Sequence, residues 1–223
     1  MVGIILSICL LGIDANPSAG SSGYSFLNIN PCAQTAAMAN TVISLQTNYS
    51  INALSLLNQP AGIIKKNNLS ASYINYLAGI SIGAIGYAQT KPLSFLSSGG
   101  ISLNYLNSGT IKRTDETGAE LGTFSVSYVN LNAIGTKSLL SEQLSVGGNL
   151  KLSYGSIDSF WGVATALDFG AIYKPQIPNL SIGLLIKNLG LSIKAFEQTH
   201  DRLPLDIGIG ACYRANENIA LAL

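Results

Sequence analysis

From Leu69 onward, bulky apolar residues alternate with small or polar ones along the chain. Leu144, Val146, Leu150, Leu152 and Tyr154 share one parity, and Ser145, Gly147, Asn149, Lys151 and Ser153 the other. The next stretch repeats the pattern, with Trp161, Val163, Leu167, Phe169, Ala171 and Tyr173 set against Gly162, Ala164, Ala166, Asp168 and Gly170. Ile101, Leu103 and Tyr105 oppose Ser102 and Asn104, and Leu180, Ile182, Leu184 and Ile186 oppose Ser181, Gly183 and Lys187. Ile207, Ile209, Ala211 and Tyr213 oppose Asp206, Gly208, Gly210 and Arg214. Side chains of a strand point alternately to its two faces. The pattern therefore predicts strands of roughly 8 to 14 residues separated by turn chemistry.

One of the resulting faces is large and apolar, and the other consists of glycine, serine, asparagine and a few charges. A soluble sandwich buries its apolar face and puts long charged residues outside. Here the second face is too small and too weakly charged for open solvent. It suits a narrow polar interior, with the bulky residues facing lipid. The mid-strand charges Lys151, Asp168 and Lys187 all fall on the small-residue face. A lysine on a lipid face near the midplane would cost roughly 2–4 kcal/mol. These residues are the expected lumen-facing polar set, and an ion-pair network is the simplest role for them. The fold expected is all-β, an antiparallel transmembrane β-barrel.

Composition agrees with this expectation. Charged residues make up 10% of the 223 and hydrophobic ones 48%, against roughly 25% charged in soluble domains. No apolar run approaches the about 20 residues of a membrane helix. A net charge of +1 leaves no basic stripe for nucleic acid. Cys9, Cys32 and Cys212 lack metal-site spacing and are expected to be unpaired thiols. His200 is the single histidine, so a histidine metal site is excluded and a Ser–His–Asp arrangement is a remote alternative. No phosphate-cradling glycine motif occurs. The expectation is a protein that is not an enzyme and carries no cofactor.

Residues 1–19 are expected to be a signal peptide, with Val2–Ile13 as its apolar core. Residues 20–68 form an N-terminal segment entering or plugging the barrel, and 69–223 its strands. Periodicity leaves Ala33–Leu45 open between helix and strand. Connections 107–121 and 189–205 are long and charged, whereas 137–143, 174–179 and 214–218 are short. Short periplasmic turns and long external loops are usual for such barrels, so the long pair is expected outside the cell. Lys112, Arg113, Asp115 and Glu116 make the first of them a candidate partner-docking loop. Tyr105, Tyr154, Tyr173 and Tyr213 lie near strand ends, where aromatic girdles sit. About eight strands run up to Arg214, and Ile219–Leu223 begins a further one before the chain stops. An open edge in lipid is not viable, so the sequence is expected to be C-terminally truncated.

Several segments, in order, carry a family resemblance. They are Tyr24-Ser-Phe-Leu-Asn-Ile29, Ala36-Ala-Met38 with Ile43-Ser-Leu45, and Leu69-Ser-Ala-Ser-Tyr-Ile-Asn-Tyr-Leu-Ala-Gly-Ile80. Arg113-Thr-Asp-Glu-Thr-Gly118, Leu121-Gly-Thr-Phe-Ser125 and Val146-Gly-Gly-Asn-Leu-Lys151 follow, then Ile186-Lys-Asn-Leu-Gly190 and Leu203-Pro-Leu205. In these the chain resembles the PorV/PorQ family of FadL-like outer-membrane proteins of the type IX secretion system, on its PorQ-like side. It departs from the family at Gln46-Thr47-Asn48, where acidic residues are usual, and at Asn58-Gln59-Pro60, where an Asn-Pro pair is usual. The resemblance implies a barrel of about fourteen strands in the bacterial outer membrane. It also implies a non-enzymatic scaffold for surface attachment of secreted proteins, with a surface PorZ-like partner and PorU- or PorV-like components. A FadL-like channel for hydrophobic small molecules is the alternative.

Overall fold

The structure, a computed structural model, describes residues 4–7, 23–38, 41–44, 51–140, 142–196, 201–215 and 219–222. Its strands are β1 (Ile4–Ser7), β2 (Asn68–Asn75), β3 (Ser81–Thr90), β4 (Ser98–Asn107), β5 (Ile111–Thr114) and β6 (Glu120–Phe124). They continue as β7 (Val126–Leu139), β8 (Leu144–Ile157), β9 (Phe160–Tyr173), β10 (Leu180–Lys194), β11 (Asp206–Arg214) and β12 (Ile219–Ala222). Ten of them form one sheet in the order β1-β12-β11-β10-β9-β8-β7-β4-β3-β2, and β5 with β6 makes a separate hairpin. Every pairing is antiparallel except β1 with β12, which is parallel. The chain is therefore all-β in class. Among the described residues β1 and β2 are the two edges of an open sheet.

Register lines up the two parities across the strands. One row runs Leu69, Tyr87, Ile101, Ala133, Leu150, Leu167, Leu189. These side chains point to the outer face, where Leu150 is 53% exposed and Ile209, further along, 76%. The adjacent row, Ser70, Gly86, Ser102, Asn132, Lys151, Ala166, Gly190, has the opposite parity. Of this row Ser102, Asn132, Lys151 and Ala166 are buried. The usual arrangement is inverted, with the large apolar side chains exposed and the mid-strand charges buried.

The N-terminal segment covers the small-residue face. It holds the short helix α1 (Ala33–Ala37) and 3₁₀ turns at Ser25–Asn28, Thr41–Ser44 and Ser55–Leu57. The stretch Ala33–Ser44, whose period was ambiguous, is thus helical where it is described. Leu54, Leu56, Leu57 and Ile64 pack with Ala84, Ala88 and Ile134 of the sheet. Elsewhere the contact is made by backbone. A Cβ on Gly147 would overlap the Pro60 carbonyl, one on Gly170 the Gln59 amide, and one on Gly183 the Ile43 carbonyl. These strand glycines are where the segment lies directly on the wall. Thr136 donates its hydroxyl to the Pro60 carbonyl at 2.7 Å, and Ser181 donates to that of Ser44 at 2.7 Å.

Two connections differ from the sequence expectation. Residues 107–121 are not a plain loop, since most of them belong to the β5–β6 hairpin around an Asp115–Gly118 turn. The hairpin has no buried face, so its alternation carried no apolar signal. Residues 189–194 are strand, not loop, because β10 runs on to Lys194. A register shift between Ile186 and Leu189 places Lys187 and Asn188 together opposite Asp168. This β-bulge interrupts the parity on which the strand's end was judged.

Gly147→Ala is expected to destabilise the fold by about 1–3 kcal/mol through overpacking. At Gly148 an added carbon meets only the Asp168 carbonyl oxygen, at 3.8 Å. Gly148→Ala is therefore expected to change stability by less than about 0.5 kcal/mol. Urea unfolding followed by fluorescence of the single tryptophan, Trp161, measures both.

Candidate functional site

Two places stand out, the buried charge cluster on the inner wall and the exposed hairpin. In the cluster Lys151 is 3% exposed, Asp168 0% and Lys187 8%. The Lys151 ammonium meets the Asp168 carboxylate at 2.7 Å and donates to the Asn188 amide oxygen at 2.7 Å. The second Asp168 oxygen accepts the Asn188 backbone N–H at 2.7 Å, and Asn149 donates to the carboxylate at 3.0 Å. Taking two charges out of water costs several kcal/mol per ion, which is offset only when the remaining donors and acceptors are satisfied. Here they are satisfied by asparagines.

The bulge makes this geometry possible. Asn188 adopts a left-handed conformation, φ 59°, which asparagine tolerates better than most residues. That turns both Lys187 and Asn188 toward the interior and aims the Asn188 N–H at Asp168. Asn188 also donates to the Asn28 side chain at 2.8 Å and to the Pro204 carbonyl at 2.9 Å. The network thereby ties the wall to the N-terminal segment and to the β10–β11 connection. From Asn149 it extends through a long 3.4 Å contact to Asn132, and on through Asn130, which donates to Asn132 at 3.0 Å, to Ser153, which donates to Asn130 at 2.7 Å.

Sequence reasoning placed Lys151, Asp168 and Lys187 on one face, and the structure buries all three there. Only Lys151 and Asp168 pair. The asparagines and the bulge were missed. The one sequence signal for them was a run of asparagines at inward parity, Asn104, Asn130, Asn132 and Asn149.

The four hairpin residues have different roles. Lys112 pairs with Glu120 across β5 and β6. Arg113 pairs with Asp158 in the β8–β9 turn and stands over the Phe124 ring. Asp115 accepts the Thr117 hydroxyl at 2.7 Å and the Thr117 and Ala119 backbone N–H groups at 2.9 Å. The Thr117 hydroxyl first, then the Ala119 N–H, holds its carboxyl below the ordinary aspartate value. Glu116 is exposed at the tip. Three of the four therefore shape and anchor the hairpin, and Glu116 is left to solvent.

An aromatic group seals this end of the sheet. Phe26 stacks on Tyr128 with ring centroids 4.3 Å apart, and Tyr24 and Phe196 close around them. Gly155 and Gly162, partners across β8 and β9, make room for these rings.

Cys32 and Cys212 are buried free thiols, while Cys9 and His200 lie outside the described residues. Among the described residues no cluster of histidine, cysteine and carboxylate groups is placed to hold a metal. No helix among them is long and apolar enough to cross a membrane.

In comparisons with known proteins, the chain matches no protein-family model and no curated protein. Its class rests on the architecture itself. It is an all-β protein whose antiparallel sheet buries a polar face under its own N-terminal segment and exposes an apolar one.

Removing the acid from the buried pair tests the cluster. Asp168→Ala is expected to cost about 3–5 kcal/mol, because it strands Lys151 as an unpaired buried charge. Adding Lys151→Met should restore most of that loss. Equal losses in the single and double variants, measured by chemical unfolding, would show that the pair is not its source.

Proposed function

We propose that the chain is an outer-membrane barrel component of the type IX protein secretion system, a FadL-like, non-enzymatic scaffold for surface attachment of secreted proteins. The observation that carries the membrane part is the exposed apolar face. Leu103, Leu131, Leu150, Leu152, Leu167, Phe169, Leu184 and Ile209 form a continuous outward band. A soluble monomer rarely exposes an apolar patch beyond a few hundred Å², whereas lipid stabilises one of any extent. Tyr105, Tyr154 and Trp161 lie toward one end of this band, and Tyr173 and Tyr213 toward the other. That is the arrangement of aromatic girdles. Lys194, the last residue of β10, is an exposed charge beside the band. Its ammonium lies over the Trp161 ring, at strand-end height, where a long side chain reaches the headgroups.

Assignment to secretion rests on the resemblance to the PorV/PorQ family, and the scaffold role gains support from the interior. The N-terminal segment lies over the inner face, and the recess left between Leu27, Leu57 and Asn58 and the wall measures about 30 Å³. That is far below the roughly 300 Å³ of the smallest ordinary ligand pockets, so the channel alternative gains nothing from it. The β5–β6 hairpin, the Asp158 turn and the β10–β11 connection all lie at one end of the sheet. In this reading they face outward and form the surface for a PorZ-like partner.

Leu150→Lys is expected to weaken assembly into lipid vesicles by about 2–4 kcal/mol. Leu121→Lys, on the exposed hairpin, should leave assembly unchanged. Equal effects would remove the basis for a lipid-facing outer surface. For the secretion role, the protein is affinity-purified from outer membranes. A PorZ-like surface protein is expected to accompany it and to be lost when Glu116 and Leu121 at the hairpin are replaced. Membrane-inserted protein that brings down no secretion component would overturn the role while leaving the barrel intact.

A further inference from the structure

The gap between the N-terminal segment and the inner wall is small but strongly polar on one side. Asn104, Asn132, Lys151 and Lys187 line the wall, with Leu27 and Leu57 opposite. At about 30 Å³ it holds a small ion or one or two waters. Lys151 is engaged by Asp168 and Asn188. Lys187 is more than nine-tenths buried, and among the described residues its ammonium has neither an ion-pair partner nor a hydrogen-bond acceptor. Asp206 sits opposite it across β10 and β11, half-buried, and the two form no ion pair.

The gap itself is lined by donors and, among the described residues, by no carboxylate; the nearest acids are Asp168, which is taken up by Lys151, and Asp206, which faces Lys187 in register without pairing with it. Lys151 lies close enough to repel Lys187. The Asn132 amide nitrogen has no acceptor, and the Asn104 amide oxygen has no donor. A half-turn of the Asn104 amide exchanges its oxygen for an N–H, so both asparagines can donate into the gap. An ammonium confined in such a recess, whose neighbouring carboxylate makes no ion pair with it, is costly, and an anion among these donors offsets that cost.

We propose that this recess binds a small monovalent anion, such as a halide, held chiefly by the Lys187 ammonium and the amides of Asn132 and Asn104. The site lies on the inner wall, so it goes beyond the secretion role and does not depend on it. The anion would act as a structural counter-ion that joins β4, β7 and β10 through the interior.

The test uses the full chain purified in detergent. Its unfolding temperature is followed as bromide replaces gluconate, which is too large for the recess, at constant ionic strength. A saturable rise of about 2–4 °C is expected, corresponding to about tenfold excess over the dissociation constant. Lys187→Met should abolish the saturable part. Crystals grown in bromide should show its anomalous signal beside Lys187. A flat response, an identical response in Lys187→Met, or a recess without bromide would overturn the proposal. Should the variant fail to fold, the anomalous map of the unsubstituted protein decides alone.

Discussion

The structure depends on how a sheet whose inner face is made largely of small and polar residues binds the segment that lies on it. Away from the apolar patch at Ala84, Ala88 and Ile134 such a face offers little hydrophobic area to bury, so there the contact is made at close range by peptide groups. Gly147, Gly170 and Gly183 expose bare wall on three strands, and the Gln59–Pro60 and Ile43 peptide groups lie against it. Bringing peptide groups so close requires that they be hydrogen-bonded. Thr136 supplies a donor for Pro60 and Gly62, Ser181 for Ser44, and the Gln59 side chain donates to Ile43 at 2.6 Å. Small residues provide the space and hydroxyls the partners, and each needs the other. A valine in place of Gly147 would block the approach, and a valine in place of Thr136 would leave a carbonyl unsatisfied.

The buried charges follow from the same constraint. An interior of glycine and serine has room for lysine stems and offers polar partners for their heads. Asp168 is neutralised by Lys151 and accepts from Asn149 and Asn188. A regular strand would have pointed Asn188 outward with Ile186, among Leu167 and Phe169, and turned Leu189 inward. The bulge spends one residue of register so that a second polar group can reach the cluster. Past it the parity resumes, with Leu189, Leu191 and Ile193 on the exposed side.

The wall was legible in the sequence because it has two faces of opposite chemistry and a period of two. Leu144–Tyr154 and Trp161–Tyr173 lie on the faces that their alternation assigned. The hairpin was not legible, since Lys112, Arg113, Thr114, Glu120 and Thr123 are exposed on both faces and a strand without a buried face has no apolar parity. The bulge was not legible because one inserted residue looks the same as the end of a strand. The N-terminal segment was least legible. What fixes it is a set of single polar contacts at long separation in the chain, such as Asn58 with Asn30 and Thr35. No period marks such contacts.

The two ends of the sheet are built differently, and the difference bears on where a partner can act. At one end β7 to β8 and β9 to β10 turn within a few residues. At the other, Arg113 reaches from the hairpin to Asp158, and Phe196 from the β10–β11 connection packs against Tyr24 and Tyr128. Asn188 bonds Pro204 of that same connection. The hairpin and the described residues of the β10–β11 connection are therefore tied to the wall and to the N-terminal segment. A surface held in this way loses little conformational entropy on binding. If a partner docks here, its hold is on a preformed rim, and the network beneath Asn188 is what keeps that rim in place.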